Sequence, residues 1–287
     1  MLHPPPCLIL AARPEIHGHR GCRGLLPENT LPAFLYALEL GVDALEMDVV
    51  LAADGEVVVS HEPWLSSLCR DARGRAVEAG AERQHNLYRM SYAEIRRCDC
   101  GLTPHPGFPR QQSIAAYKPL LRDVIRAVEQ RVQELNRPAI RFSIEIKSCP
   151  EDDDLFHPKP APFVAQVLAV LAEEQILGRS TLLSFDKRIL REGRRQAPAL
   201  PVCLLVEDEV PCAEHVAALG FRPEVYGPQY RLVTAELVAD LHAQGIRLVP
   251  WTVNATGAML ALWQLGVDGL TTDYPDRLRD VLNSSRG

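Results

Sequence analysis

The stretch Thr181-Leu182-Leu183-Ser184-Phe185 is a short apolar run, and a polar helical pattern over 187–196 follows it. Val202-Cys203-Leu204-Leu205-Val206 repeats the arrangement, with a helix over 213–219. Apolar runs of five residues suit strands buried on both faces, and ten-residue segments of 3.6 period suit helices. Strand and helix in alternation call for a parallel sheet with crossover helices. The same cycle continues toward the C-terminus: strand 224–227 and helix 234–244, strand 247–252 and helix 255–265, strand 267–272 and helix 275–283.

Toward the N-terminus the cycle also holds. Strand 15–20 precedes a helix over 31–40, with Asn29 or Thr30 as N-cap and Gly41 as the stop. Strand 44–51 turns at Asp54-Gly55 into a returning run over 56–61. A helix over 120–135 leads to strand 140–147 and a helix over 162–177. Between 62 and 118 the cycle stops. That segment is irregular, with one short helical pattern near 91–97, and is longer than an ordinary loop. The reading is one α/β domain over 1–287, an eight-stranded (β/α)8 TIM barrel with a small insertion at about 62–118 after strand 2. A doubly wound open sheet is the rival, but Gly18-His19-Arg20-Gly21 is not its glycine-rich phosphate turn.

The 287 residues carry a net charge of −6 and are 47% hydrophobic. Net acidity argues against a nucleic-acid backbone as partner, and the apolar content against disorder. No apolar stretch is long enough to be an integral membrane segment. The run from Cys7 to Ala12 is too short for a signal peptide, follows three prolines and precedes Arg13, so the expected location is cytoplasmic. Eight cysteines are scattered without a framework, and free thiols are expected. Nothing in the pattern specifies an oligomer.

A barrel keeps its chemistry at the C-terminal strand ends. There the sequence places His19-Arg20, Glu46 with Asp48, His61, Glu145 with Lys147, Ser184-Phe185, Trp251-Thr252 and Thr272-Asp273. Period-two spacing puts Glu46 and Asp48 on one strand face, and Glu145 and Lys147 on another. Three inward carboxylates repel one another unless a cation sits among them, and oxygen ligands suit Ca²⁺ or Mg²⁺. Alternatively, Arg20 and Lys147 neutralise the acids in a buried ion network. His19 and His61 at the same mouth are an acid/base pair suited to a phosphate ester. The other seven histidines read as structural, the acidic run 151–154 as a solvated turn, and Cys98-Asp99-Cys100 as ordinary thiols rather than a zinc site.

These residues carry a resemblance. His19-Arg20-Gly21, Pro27-Glu28-Asn29-Thr30, Glu46-Met47-Asp48-Val49, His61, Glu145-Ile146-Lys147, Trp251-Thr252-Val253-Asn254 and the run 266–275 resemble the glycerophosphodiester phosphodiesterase family in their joint order. Glu62 stands where many members have Asp. The resemblance implies a (β/α)8 barrel with an insertion after the second strand. It also implies hydrolysis of a small-molecule glycerophosphodiester to glycerol 3-phosphate and an alcohol. Glu46, Asp48 and Glu145 then correspond to ligands of a divalent metal ion, and His19 and His61 to the catalytic pair. Arg20 and Lys147 correspond to phosphate-neutralising cations, Trp251 to an aromatic wall, and Glu28 to an acid that orients His19 or a neighbour, or approaches the metal through water. Phe185 joins Trp251 on the substrate side. Attack by a glycerol hydroxyl, with later opening of a cyclic phosphate, and direct attack by water both use this set. The rival functions are a lysophospholipase D or phospholipase C-like enzyme, which needs an apolar groove for a lipid chain, and a non-catalytic phosphate-binding barrel. Trp64, Leu65, Leu68, Leu87, Tyr88 and Phe108 of the insertion are the groove's candidates.

Overall fold

The computed structural model describes residues 12–284. The run from Cys7, read above against a signal peptide, lies outside the described residues up to position 11, as does His3. The first strand, β1 (Glu15–Gly18), leads to helix α1 (Leu31–Leu40), and β2 (Ala44–Leu51) turns back as β3 (Val57–Val59). The insertion holds two 3-10 turns (Glu82–Gln84 and Leu87–Arg89) and one short α-helix, α2 (Tyr92–Ile95), and ends at α3 (Leu121–Glu134). Then β4 (Arg141–Ile146), α4 (Pro160–Glu173), β5 (Ser180–Ser184), α5 (Lys187–Gln196), β6 (Val202–Val206) and α6 (Cys212–Leu219) alternate. The chain closes with β7 (Val225–Pro228), α7 (Ala235–Ala243), β8 (Arg247–Leu248), α8 (Thr256–Leu265), β9 (Gly269–Thr272) and α9 (Pro275–Ser284).

Eight parallel strands run in the order β8-β7-β6-β5-β4-β2-β1-β9. The open ends meet: Asp268 N–H donates to Leu248 O at 3.0 Å and Thr271 N–H to Pro250 O at 3.0 Å. The sheet is therefore a nearly closed barrel, as the alternation predicts. Outward residues of the strands pack on the helices. Ile16, Met47, Phe142 and Ile144 are fully buried in one core with Phe34, Val128, Phe163 and Val167. Each such aliphatic or aromatic side chain contributes about 1.5–3 kcal/mol by leaving water.

The first strand is shorter than its sequence suggests, and this shapes the mouth. β1 stops at Gly18 because it pairs with only Ala44 and Leu45 of β2. β4 covers the other edge of β2 from Ala44 to Val49, so β3 occupies the edge that β1 vacates, pairing Val57–Val59 with Leu51–Val49. Ser60 N–H then donates to Asp48 O at 3.0 Å, which returns the chain to the barrel mouth just before His61. The insertion packs its own small core of Leu65, Cys69, Val77, Leu87, Ile95 and Cys98 against Val50, Val58 and Leu120. It is bolted to the barrel by Arg83, whose guanidinium meets Asp152 at 3.0 Å and lies 4.2 Å over Phe156. Within the acidic run Asp152 and Asp153 are thus ion-paired, since Asp153 also meets Arg188 at 2.8 Å, while Glu151 and Asp154 are exposed as a solvated turn would be. The seven cysteines among the described residues are free thiols.

Candidate active site

His19 and Arg20 follow β1 directly, in a turn that reverses at once. Arg20 has φ 50° and Gly21 has φ 87°. A Cβ on Gly21 would sit 2.7 Å from the Ala33 backbone, so the turn requires glycine. The left-handed Arg20 aims its own N–H at Glu46 Oε2, 2.8 Å away. Its guanidinium reaches Glu28 Oε1 at 2.9 Å and lies 3.1 Å from Asp48 Oδ2. Asn29 was a possible helix cap by sequence. It instead takes φ 55° and donates from Nδ2 to Asp48 Oδ2 at 2.8 Å, leaving Thr30 as the N-cap.

Inward residues of β2 and β4 meet beneath that turn. Asp48 stands opposite Glu145 in the ladder. Glu46, Asp48 and Glu145 are all buried and each brings an oxygen within 4.8 Å of the others. Burial and the neighbouring Asp48 and Glu145 charges push the Glu46 carboxyl well above its usual range. Burial also raises Glu145, against the pull of Lys147. Burial would raise Asp48 as well, but Arg20, Lys147 and His61 win and hold it low. Lys147 Nζ donates to Glu145 Oε1 at 2.7 Å and stands 3.8 Å from Asp48 Oδ1.

Both readings offered by the sequence therefore have material in the site. The cations Arg20 and Lys147 do touch the acids, yet Asp48 Oδ1 is buried with no hydrogen-bond partner. A buried carboxylate oxygen left without a donor is costly. Three crowded carboxylates, one of them raised by its neighbours, fit a hard divalent cation ringed by oxygen. Glu46, Asp48 and Glu145 would hold it.

The histidines sit on either side. His19 is buried, and its Nδ1 lies 2.6 Å from Asp273 Oδ1 while its Nε2 lies 3.9 Å from Glu46 Oε2. Burial lowers its pKa to about 4, helped by Arg20 and Arg23 and opposed by Asp273. Asp273 is itself held low, because Arg23 Nε, Asn254 Nδ2 and His19 more than offset its burial. His61 is more exposed, and its Nδ1 meets Glu62 Oε1 at 2.7 Å. That hydrogen bond holds Glu62 below the ordinary carboxylate range.

A cavity of about 410 Å³ opens over this arrangement, lined by His19, Arg20, Glu46, His61, Glu145 and Lys147. Phe185 and Trp251 line it too, packed edge to face at 5.4 Å, with Trp251 Nε1 fixed on Gly227 O. Below them Leu183, Cys203, Leu205, Val225 and Val249 form an apolar wall inside the barrel. Of the residues singled out by sequence, Asp48 lies among Arg20, Lys147 and Asn29. Glu28 lies on the guanidiniums of Arg20 and Arg23, so the neighbour it orients is an arginine rather than His19. Asp273, Asn29 and Asn254 were named from the sequence without a role in the site and Arg23 was not named; all four belong to the constellation. The available signal was the placing of Asp273 at the end of the last strand.

Known proteins share this chain's sequence pattern and fold. Residues 19–277 match the model of the glycerophosphoryl diester phosphodiesterase family. A glycerophosphodiester phosphodiesterase of Bacillus altitudinis is 29% identical over 267 residues, covering 92% of this chain and 96% of its own. A solved structure described as a glycerophosphoryl diester phosphodiesterase of Silicibacter pomeroyi DSS-3 is 36% identical, with a TM-score of 0.84 over 95% of this chain and 94% of that one. An Oleispira antarctica phosphodiesterase in complex with the product sn-glycerol-3-phosphate shares the fold, with a TM-score of 0.74 over 94% of this chain and 97% of that one at 21% identity.

Proposed function

Since the chain belongs to the glycerophosphoryl diester phosphodiesterase family, we propose that it hydrolyses glycerophosphodiesters to glycerol 3-phosphate and an alcohol by a two-histidine, metal-dependent mechanism. The observation that carries this is the clustering of Glu46, Asp48 and Glu145, with Glu46 and Glu145 lining one cavity together with His19 and His61. A bound Ca²⁺ or Mg²⁺ would supply positive charge where the phosphate gains negative charge.

The protein's own groups carry the rest. Arg20 and Lys147 border the cavity and neutralise the diester on binding. Asp273 accepts the Nδ1 proton of His19, which leaves the Nε2 lone pair toward the cavity. With its pKa lowered to about 4, His19 is neutral near pH 7 and ready to take a proton from the attacking hydroxyl. His61, paired through Nδ1 with the Glu62 carboxylate, gives a proton to the departing alcohol. Phe185 and Trp251 hold the non-reacting part of the substrate and keep water from that side.

The lipid-hydrolase reading asked the insertion for an apolar groove. Four of the six candidate side chains are occupied otherwise: Leu65 and Leu87 are buried in the insertion's own core, Trp64 packs on Phe156, and Phe108 lies against Arg23 and Tyr274. The non-catalytic reading expects a gap in the constellation, and each of the five groups is present. Release of choline and glycerol 3-phosphate from glycerophosphocholine tests the proposal. Activity is expected with Mg²⁺ or Ca²⁺, lost with chelator, and reduced about 10²–10⁴-fold in His19→Ala and His61→Ala. Full turnover in chelator removes the metal, and wild-type turnover in both variants removes the histidines.

A further inference from the structure

Arg70 and Asp99 form an antiparallel bridge within the insertion. Arg70 N–H donates to Asp99 O at 2.6 Å and Asp99 N–H to Arg70 O at 3.1 Å. They are a hydrogen-bonded pair, and continuing that register by one residue sets Cys69 against Cys100 in the non-hydrogen-bonded position on the other face. Such pairs bring their Cα atoms to about 4.5 Å. That separation lies inside the range a disulfide spans. We propose that Cys69 and Cys100 are a redox-active dithiol, closed to a disulfide by a small hydroperoxide.

Three further features agree. The two thiols act on each other, and the charge of Lys118, anchored on Ser60 Oγ at 2.7 Å, acts on both. The neighbouring Cys100 thiol, with Lys118, outweighs burial and lowers the Cys69 thiol, which favours its thiolate. Cys98 lies on the same face, but its thiol turns to Glu94 O at 3.6 Å. The three sulfurs do not converge as metal ligands: among the described residues only Glu46, Asp48 and Glu145 meet that closeness.

The reaction balances with hydrogen peroxide as oxidant. The Cys69 thiolate attacks one peroxide oxygen, the O–O bond breaks, and hydroxide leaves to become water. The Cys100 sulfur then attacks the resulting sulfenic acid, forms the S–S bond and releases a second water. Cys69 is buried, which favours a small oxidant over a protein one. Closing the bond consumes the negative charge beside Lys118. Lys118 Nζ donates to Ser60 Oγ at 2.7 Å, and Ser60 Oγ donates to Glu62 O at 2.6 Å, so the change reaches the segment that carries His61.

The experiment treats the reduced full-length chain with hydrogen peroxide, counts thiols and maps the cross-link by peptide mass spectrometry. The expected result is loss of two thiols with a Cys69–Cys100 linked peptide, restored by dithiothreitol. Cys69→Ser and Cys100→Ser lose the cross-link and Cys98→Ser keeps it. Retention of all thiols, or a cross-link between other cysteines, overturns the proposal. The wild-type peptide map decides this alone should a variant fail to fold. Oxidation should lower kcat several-fold in the wild type and leave Cys100→Ser unaffected; a disulfide that forms with no change in kcat removes the coupling to His61. The thiol readout is independent of the substrate, so it stands or falls apart from the phosphodiester reading.

Discussion

Asp273 Oδ1 lies 2.6 Å from His19 Nδ1, joining the end of the last strand to the turn after the first. The bond selects one tautomer of the imidazole and aims Nε2 at the cavity. Asp273→Asn can present its amide to Nδ1 and stabilise the wrong tautomer. The expected outcome is a fall in kcat of about 10²-fold or more with KM little changed. Steady-state kinetics on glycerophosphocholine measure it, and equal losses in 1/KM would instead assign Asp273 to substrate binding.

The buried imidazole also predicts a pH signature. Its pKa falls from 6.5 to about 4 on folding. Between those values the unfolded chain binds a proton that the folded chain does not, so stability rises with pH across that window. The cost accumulated from pH 6.5 down to 4 is about 3 kcal/mol. Urea unfolding in chelator at pH 4.5 and 7 should show a steeper loss for the wild type than for His19→Gln. The acid limb of kcat/KM for His19 should lie nearer pH 4 than 6.5.

Glu46 shifts the other way. Raised by burial and by Asp48 and Glu145, it keeps its proton in the folded chain where the unfolded chain has lost it. Its contribution therefore falls as pH rises above 4.5. A divalent cation reverses this and releases the proton. Added Mg²⁺ or Ca²⁺ should raise Tm, by more as the pH rises, and add about 2.7 kcal/mol of stability at a hundredfold excess over Kd. Glu46→Gln and Glu145→Gln should lose the Tm shift; a shift retained in both places the ion elsewhere.

Trp251 stands edge to face on Phe185 and is fixed through its indole N–H. If the pair is the substrate wall, Trp251→Ala should raise KM by about tenfold or more with a smaller change in kcat. Comparing glycerophosphocholine with lysophosphatidylcholine in the same variant reports which part of the substrate rests on the ring.

Gly21 holds the turn that brings the Arg20 N–H to Glu46. Gly21→Ala adds a Cβ against Ala33 and forces a side chain into φ 87°. A loss of about 1–3 kcal/mol is expected in denaturant unfolding, together with weaker cation binding.

Much of this protein was legible along the chain. The alternation of apolar runs and helical patterns specifies strand and helix locally, because burial on two faces and burial on one leave different periods in the sequence. The barrel, the insertion and the pairing of Glu46 with Asp48 on one face follow from that alone. Gly41 ends α1 at φ 89°, as its place after the last apolar position predicts. What the order of residues did not contain was distance across the barrel. Asp273 meets His19 across 254 positions only because closure brings β9 beside β1. Asn29, a plausible cap by its neighbours, is claimed by the buried Asp48. Cys69 and Cys100 oppose each other because an irregular insertion happens to bridge at Arg70 and Asp99. Local pattern fixes which way a side chain faces, whereas a buried charge takes whichever partner the packed fold delivers. Burial raises the cost of an unmet polar group, so that partner is decided in three dimensions.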